Sequence, residues 1–218
     1  MDTATLFSDD ELRAIEQAAA GAERRTSGEI VPYVVGACDE YRETTWKAAV
    51  LGAVLGGAVG VAVHFLGGFW GGSPWLWFVL PATLTAGVAA AASRSLSLVR
   101  RLLVPDAILD LRARRRAALA FLDEEVFATR DRTGILIFVA LFERRVVVLG
   151  DAGINRAVPD GAWQGIVTGI VRGIRDGRTA ASMVAAIQEC GRLLEAHRVE
   201  IRPDDTDELD NRLRLRDR

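Results

Sequence analysis

Residues 48–93 read AAVLGAVLGGAVGVAVHFLGGFWGGSPWLWFVLPATLTAGVAAAAS, and this stretch contains no Asp, Glu, Lys or Arg. A helix needs about 20 apolar residues to cross a hydrocarbon core that is about 30 Å thick. Two segments, residues 48–66 and 75–92, come close enough to that length to span. Between them, GGFWGGSP at 67–74 is rich in turn-forming residues. The sequence therefore predicts an integral membrane protein with two transmembrane helices joined by a tight hairpin.

The residues around this hairpin predict its orientation. Three tryptophans, Trp70, Trp75 and Trp77, lie at the turn, at the depth where indole rings prefer the membrane interface. The turn has no basic residue, whereas the outer ends of the two spans do. These flanking basic residues are Arg42, Lys47, Arg94, Arg100 and Arg101. By the positive-inside rule we expect a multi-pass protein of the inner (plasma) membrane with both termini cytoplasmic.

Small residues recur every four positions in each span. Gly52, Gly56 and Gly60 form one stripe, and Ala82, Ala86 and Ala90 form the other. Small residues at this spacing let helix backbones approach closely. We expect the two spans to pack on each other, and the alternative is a homo-oligomer that uses the same glycine stripe.

Ionisable groups are almost absent from the spans. His64 is the exception, and its place near the outer end of the first span favours a neutral interfacial side chain over a proton relay. The absence of acidic and basic residues disfavours a transporter or an ion channel.

The rest of the 218-residue chain is long enough for one ordinary domain with its own core. The formal net charge of −2 predicts no nucleic-acid partner. Two cysteines, Cys38 and Cys190, favour a reducing compartment over a disulfide scaffold. The acidic N-terminal residues lack the pattern of a cleavable signal peptide.

Two elements are predicted before the spans. Ser8 and Glu11 form a capping box, so a helix is expected to begin there and to end near Arg25. Residues 29–36, EIVPYVVG, are apolar and β-branched, which indicates a buried strand. Pro32 cannot donate a ladder hydrogen bond, so we expect an edge or a bulge at that position.

More elements are predicted after the spans. A helix is expected over 106–129, and its arginine cluster at 112–116 is expected to face anionic lipid headgroups or solvent rather than nucleic acid. Apolar runs predict a strand over 135–142 and a returning strand over 146–149. Further helices are expected from about Pro159 to Gly177 and from Thr179 to His197, followed by a mobile charged tail.

This order of elements predicts an α/β fold. A long connection through a helix should place strands 29–36 and 135–142 parallel to each other. The expected layout is residues 1–44 and 101–201 for the α/β domain, 45–100 for the hairpin and 202–218 for the tail. The hairpin is thus predicted to interrupt the domain between its first strand and its crossover helix.

Several of these segments together resemble the TPM-domain family, whose members are sometimes labelled TPM phosphatases. The likeness is carried by TSGEIVPYVV (26–35), DRTGILIFVALFERRVVVLGDAGIN (131–155), the Trp163 helix, the helix end at 191–194 and TDEL (206–209). The resemblance implies a compact α/β/α sandwich with a small mixed sheet. Many members carry an export signal and one C-terminal anchor, and this sequence departs from that layout through its internal hairpin.

The resemblance also implies possible functions. Some family members are linked to the assembly or repair of membrane complexes, notably photosystem II. Weak phosphatase activity and binding of divalent cations are known for a few.

The chain has none of the common catalytic motifs. It contains no P-loop, no G-x-S-x-G and no H-E-x-x-H, and its two histidines make a catalytic triad or a zinc site improbable. Carboxylates remain, because Asp131, Asp151 and Glu29 should meet at one end of the sheet, with Asn155 nearby. Such oxygen ligands suit Ca²⁺ or Mg²⁺. The alternative is that these residues simply form turns beside strands.

Two functions follow from these observations. The first is a membrane-tethered, non-catalytic accessory module, with the lipid bilayer and another membrane protein as its partners. The alternative is a divalent-metal-dependent phosphatase that uses Asp131 and Asp151, so whether the protein is an enzyme stays open at this point.

Overall fold

The computed structural model of the chain describes residues 3, 5–67, 73–159, 161–197, 199 and 208–217. Part of the predicted hairpin turn, including Trp70, lies outside the described residues, as does the whole segment 200–207. The chain divides into two compact units. An α/β unit comprises residues 1–38 and 109–218, and a hairpin unit comprises residues 39–108. Both borders of the hairpin unit lie a few residues outside the predicted segment 45–100.

The α/β unit is built on a four-stranded mixed sheet. Its order is β3-β2-β1-β4. The strand β1 is parallel to β2 and to β4, and β3 is antiparallel to β2. The bounds are Glu29–Val35 for β1, Gly134–Ala140 for β2, Arg145–Gly150 for β3 and Arg214–Arg216 for β4. The predicted α/β class and the parallel pairing of the first two strands are confirmed.

Helices cover both faces of the sheet. As a result, every residue of β1 and β2 is buried. One face packs on three helices through large side chains such as Ile15, Ile170, Met183 and Ile187. The other face packs on α5, mainly through alanines. The helices are α1 (Asp9–Glu23), α5 (Asp106–Asp123), α7 (Gln164–Arg175) and α8 (Thr179–Ala196). The capping box of Ser8 and Glu11 opens α1 as predicted.

Pro32 lies in the half of β1 that β4 does not cover. The N–H of Glu29 donates to the carbonyl of Thr133 on the β2 side, whereas the N–H of Ile30 donates to the Glu23 carboxylate on the other side. The proline nitrogen shares the side of Ile30, because alternate residues of a strand point the same way. Pairing with β4 begins only at Tyr33. The first half of β1 is therefore an edge, which is where a proline is tolerated.

Four local elements differ from the sequence-based predictions. The helix predicted over 106–129 ends at Asp123, and a 3₁₀ turn follows at Val126–Ala128. A short helix, α6 (Ala152–Ala157), follows β3, and α7 begins at Gln164 rather than near Pro159. The expectation of a mobile tail over 202–218 is wrong for residues 214–216, because they form β4 and pair with β1.

In the described residues of the hairpin unit there are two long apolar helices and one short helix. These are α2 (Glu43–Leu66), α3 (Leu76–Ser95) and α4 (Ser97–Leu102). The glycine stripe of α2 packs against α3, since a Cβ at Gly52 would lie 2.6 Å from the Thr85 carbonyl oxygen, and one at Gly56 would lie 2.5 Å from that of Pro81. On α3 these close contacts involve Trp77, Pro81, Thr85 and Ala89. Of the predicted alanine stripe, Ala82 is buried and Ala86 and Ala90 are partly buried.

Hydroxyl groups add to the contact between α2 and α3. The hydroxyl of Thr85 lies 2.6 Å from the carbonyl oxygen of Gly52 on the facing helix. At the other end of the pair, the hydroxyl of Ser93 donates to that of Thr44 at 3.2 Å. The glycine stripe is therefore used within the hairpin, as the first of the two alternatives predicted.

Candidate functional site

The register of the strands brings three of the predicted site residues to one end of the sheet. Glu29 opens β1 opposite Gly134, and Gly150 ends β3 opposite Ile135. Asp131 precedes β2 by three residues, and Asp151 directly follows β3. The loops at this end are the region where the sequence predicted a cation site.

Asp151 is bound by an arginine and by a helix N-terminus. Its carboxylate is 6% exposed. The Arg132 guanidinium approaches both oxygens, with Nε 2.6 Å from Oδ2 and Nη2 3.1 Å from Oδ1. Oδ1 also accepts the N–H of Ala152 at 2.7 Å, so Asp151 is the N-cap of α6. A mostly buried carboxylate with these partners is already neutralised and hydrogen-bonded.

Arg132 is held in an unusual conformation for this contact. Its φ is 59°, in the left-handed region that non-glycine residues rarely adopt. Its guanidinium also lies 5.9 Å from the centre of the Phe127 ring. Such a backbone conformation persists only where surrounding contacts stabilise it. The ion pair with Asp151 and the ring contact are two such contacts.

Glycines let the two loops come together. The N–H of Gly153 donates to the carbonyl of Arg132 at 2.8 Å, and the N–H of Asp151 donates to that of Gly134 at 2.9 Å. A Cβ at Gly153 would lie 2.5 Å from the carbonyl oxygen of Asp131. The segments DRTG (131–134) and GDAG (150–153) are thus held together by backbone hydrogen bonds. This contact explains the glycine and aspartate residues of both segments by the structure of the loops, and it requires no ligand.

Glu29 holds the C-terminal segment. Its carboxylate is 5% exposed and accepts the N–H groups of Glu208 and Leu209 at 3.3 and 3.4 Å. The Glu208 carboxylate in turn accepts the N–H of Arg130 at 2.9 Å. A carboxylate that accepts backbone N–H groups in a buried place is a structural anchor for that backbone.

The predicted ligand set does not gather as a cation site. Asn155 donates from Nδ2 to the carbonyl of Gly150 at 2.7 Å, and Asp131 is partly exposed in its loop. Within the part of the chain that the structure describes, no three His, Cys, Asp or Glu side chains form a group that could hold a metal ion. Glu29, Asp151 and Asn155 are thus bound to other groups of the protein, and the Ca²⁺ or Mg²⁺ site stays a prediction.

A second charged cluster, which the sequence reasoning missed, lies beside β4. The Glu124 carboxylate pairs with Arg214 at 3.1 Å and with Arg216 at 3.5 Å. The side chains of Glu124 and Arg214 are 17% and 12% exposed, so this ion pair is mostly buried. The alternating sequence Arg212–Arg216, RLRLR, is the signal that could have revealed a strand there.

Tyr33 connects this cluster to α5. Its hydroxyl accepts a hydrogen bond from Arg116 at 3.1 Å, and its ring stacks on Phe138 with centroids 5.4 Å apart. Burial raises the pKa of the Tyr33 hydroxyl above its ordinary value of 10.0, and the nearby Arg116 guanidinium partly opposes that rise. The tyrosine is therefore a neutral structural contact between the sheet and α5.

Comparisons with known proteins found a family-model match and a similar solved structure. A family model described as the TPM domain matches residues 98–193. A similar solved structure is the NMR structure of the BA42 protein from the psychrophilic bacterium Bizionia argentinensis. The two are 20% identical over 96% of this chain and 94% of that one, with a TM-score of 0.57. No curated protein matches the sequence.

Proposed function

Since the chain carries a TPM domain, we propose that it is an integral membrane protein in which this domain is a non-catalytic interaction module. The module assists the assembly or maintenance of another membrane protein. Its α/β unit and both chain termini lie in the cytoplasm, and the hairpin α2–α3 crosses the inner membrane twice.

The exposed apolar surface of the hairpin carries this proposal. The apolar windows of α2 and α3 have mean hydropathies of 2.1 and 1.6, yet only 22% and 11% of their residues are buried. A core helix of a water-soluble protein buries such residues. Side chains such as Val54, Leu55, Leu84 and Val88 are 58–69% exposed. Such an apolar surface is stable in contact with the hydrocarbon core of a membrane.

Membrane insertion is tested by alkaline extraction of membranes from cells that express the full chain. An integral protein stays in the membrane pellet at high pH, whereas a peripheral one is released. Release of the full chain into the supernatant would overturn the membrane part of the proposal.

Orientation is tested with one added cysteine in a Cys38→Ser background, in which the only other thiol is that of the buried Cys190. Ser73→Cys lies at the hairpin turn, and Ala181→Cys lies on the exposed side of α8. In intact cells, a membrane-impermeant maleimide should label Ser73→Cys but not Ala181→Cys, and cell lysis should expose both. The opposite pattern would place the α/β unit outside the cytoplasm.

The chemistry of the loops supports a module without catalysis. Asp151 is paired with Arg132, and Glu29 is bound to the backbone of the C-terminal segment. Groups that are already neutralised in this way stabilise loops rather than activate water. The test is affinity capture of the full chain in mild detergent after crosslinking in native membranes. A reproducible membrane-protein partner is expected, and capture of none would count against the module.

The alternative is a phosphatase that depends on a divalent cation. Purified full chain is expected to leave a phosphomonoester such as p-nitrophenyl phosphate intact in the presence of Mg²⁺, Mn²⁺ or Ca²⁺. Metal-dependent hydrolysis that Asp151→Asn abolishes, and that Asp176→Asn on the exposed end of α7 preserves, would establish the alternative instead.

A further inference from the structure

The helix α5 is apolar on two opposite faces. Towards the sheet it presents a stripe of Ala113, Ala117 and Ala120, all fully buried. On its outer side Leu111, Leu119 and Leu122 are 43%, 53% and 57% exposed. A surface helix normally places polar residues on the side away from the core. The three leucines therefore form an outer leucine face that water does not favour.

Arginines accompany this outer leucine face. Arg115 shares the face by helical spacing, since it lies four residues after Leu111 and four before Leu119. It is exposed and has no ion-pair partner among the described residues. Arg114 is also exposed and pairs with Asp110 on the flank of the helix at 2.9 Å. The outer leucine face thus combines leucines with an arginine and contains no acidic residue. This composition is complementary to a surface with an apolar interior and an anionic outer layer.

The position of α5 in the chain points to the same surface. It begins at Asp106, eleven residues after α3 ends at Ser95. The intervening helix α4 has the same composition, with Leu98 and Leu102 exposed beside Arg100 and Arg101. Amphipathic helices with leucine on one side and arginine around it lie in the interface plane of membranes.

We propose that the outer leucine face of α5 lies on the bilayer surface, with Leu111, Leu119 and Leu122 inserted among the acyl chains and Arg115 beside lipid phosphates. Interfacial helices bury their apolar face about 5–10 Å into the boundary between headgroups and acyl chains. Long arginine side chains keep the guanidinium at the headgroup level while their methylenes follow the apolar surface. The occupant of this face is therefore an anionic lipid surface. This inference rests on the proposed membrane insertion.

The experiment uses the full chain reconstituted into vesicles of phosphatidylcholine with or without phosphatidylglycerol. An environment-sensitive fluorophore is attached in a Cys38→Ser background at one of three cysteines: Leu119→Cys on the outer leucine face, Ala181→Cys on α8 and Val59→Cys on α2. Lipids brominated near the top of the acyl chains quench a fluorophore that lies among them. The label at Leu119→Cys should be blue-shifted and quenched, whereas that at Ala181→Cys should report water.

The arginine contribution is measured in the same vesicles. The double variant Arg114→Gln/Arg115→Gln should lose part of the quenching at Leu119→Cys in vesicles that contain phosphatidylglycerol, and quenching at Val59→Cys should not change. A label at Leu119→Cys that resembles Ala181→Cys would overturn the inference. So would a label shielded from both water and brominated lipid, because a protein would then cover the face. Quenching at Val59→Cys separates these outcomes from a failure of membrane insertion.

Discussion

Large apolar side chains point inwards in the α/β unit and outwards in the hairpin unit. Ile170 and Met183 are fully buried between the sheet and its helices, whereas Val54 and Leu84 are 62% and 69% exposed on α2 and α3. The small residues show the reverse, because the glycines of α2 form the buried contact between the two spans. One chain therefore uses the same residue types in two opposite arrangements. This contrast is what we expect if, as proposed, the hairpin unit lies in a membrane and the α/β unit lies in water.

The helix α5, which begins where the two units join in sequence, can be compared with both arrangements. Its alanines face the sheet, whereas Leu111, Leu119 and Leu122 face outwards, as the large side chains of the hairpin unit do. The three helices on the other face of the sheet bury their isoleucines and leucines instead. The direction of the leucines, rather than their number, therefore distinguishes α5 from these three helices.

Truncation of a core isoleucine should produce the largest effect. Ile170→Ala is expected to cost the α/β unit about 2–5 kcal/mol of unfolding free energy, because it removes buried methylenes and leaves a cavity. The measurement is urea unfolding of the full chain in detergent, followed by pulsed thiol labelling of Cys190. Leu84→Ala on the exposed side of α3 is the control, and a change above about 0.5 kcal/mol there would contradict the comparison.

Added volume in the glycine stripe should have the next largest effect, in the hairpin unit. Gly56→Val is expected to cost about 1–3 kcal/mol, because its side chain would collide with the backbone of Pro81 on the facing helix. The midpoint of heat-induced aggregation in mild detergent should fall. Gly87→Val is the matched control, since a Cβ there would meet no atom within 4 Å. Equal shifts for both variants would mean that the stripe does not hold the helices together.

Some elements of the fold follow directly from the sequence. The apolar runs of β1 and β2 specify buried strands, and the long connection between them requires a parallel pair. Other elements are too short to give a recognisable pattern in the sequence. The helix α6 has only six residues, which is less than two turns, and β4 is a three-residue strand with two arginines, stabilised by contacts far away in sequence. Periodicity located α5, yet it could not tell which apolar stripe faces the sheet.

The candidate site was predictable in position and not in chemistry. Strand connectivity placed Asp131, Asp151 and Glu29 at one end of the sheet. It could not show that Arg132, with a left-handed backbone, would turn towards Asp151, or that Glu29 would bind the backbone of the C-terminal segment. Such partners depend on side-chain directions and on contacts across 19 and about 180 residues of sequence.

A smaller effect is expected where the α/β unit holds its C-terminal strand. Glu124→Gln should cost about 1 kcal/mol, because it weakens two charge-assisted contacts of which one is mostly buried. Amide hydrogen exchange of Gly36, whose N–H donates to the carbonyl of Arg216, should become faster. The neighbouring variant Glu125→Gln changes an exposed side chain and should leave this exchange rate as it is. Unchanged protection in Glu124→Gln would show that backbone pairing alone holds β4.

The smallest effect concerns the thiols of the α/β unit. Burial raises the pKa of the Cys190 thiol from its ordinary value of 9.0 to about 12, and Glu189 adds to the rise. The folded state therefore binds this proton more tightly than the unfolded state. The stability that the protonated Cys190 thiol contributes is complete below pH 9 and is lost as the pH rises through 12.

At pH 8 iodoacetamide should modify the partly exposed Cys38 and leave Cys190 unmodified until urea unfolds the unit. Mass spectrometry should find one modified thiol in the native chain and none in Cys38→Ser, whereas rapid modification of Cys190 would mean that the interior between α1 and α8 opens without unfolding.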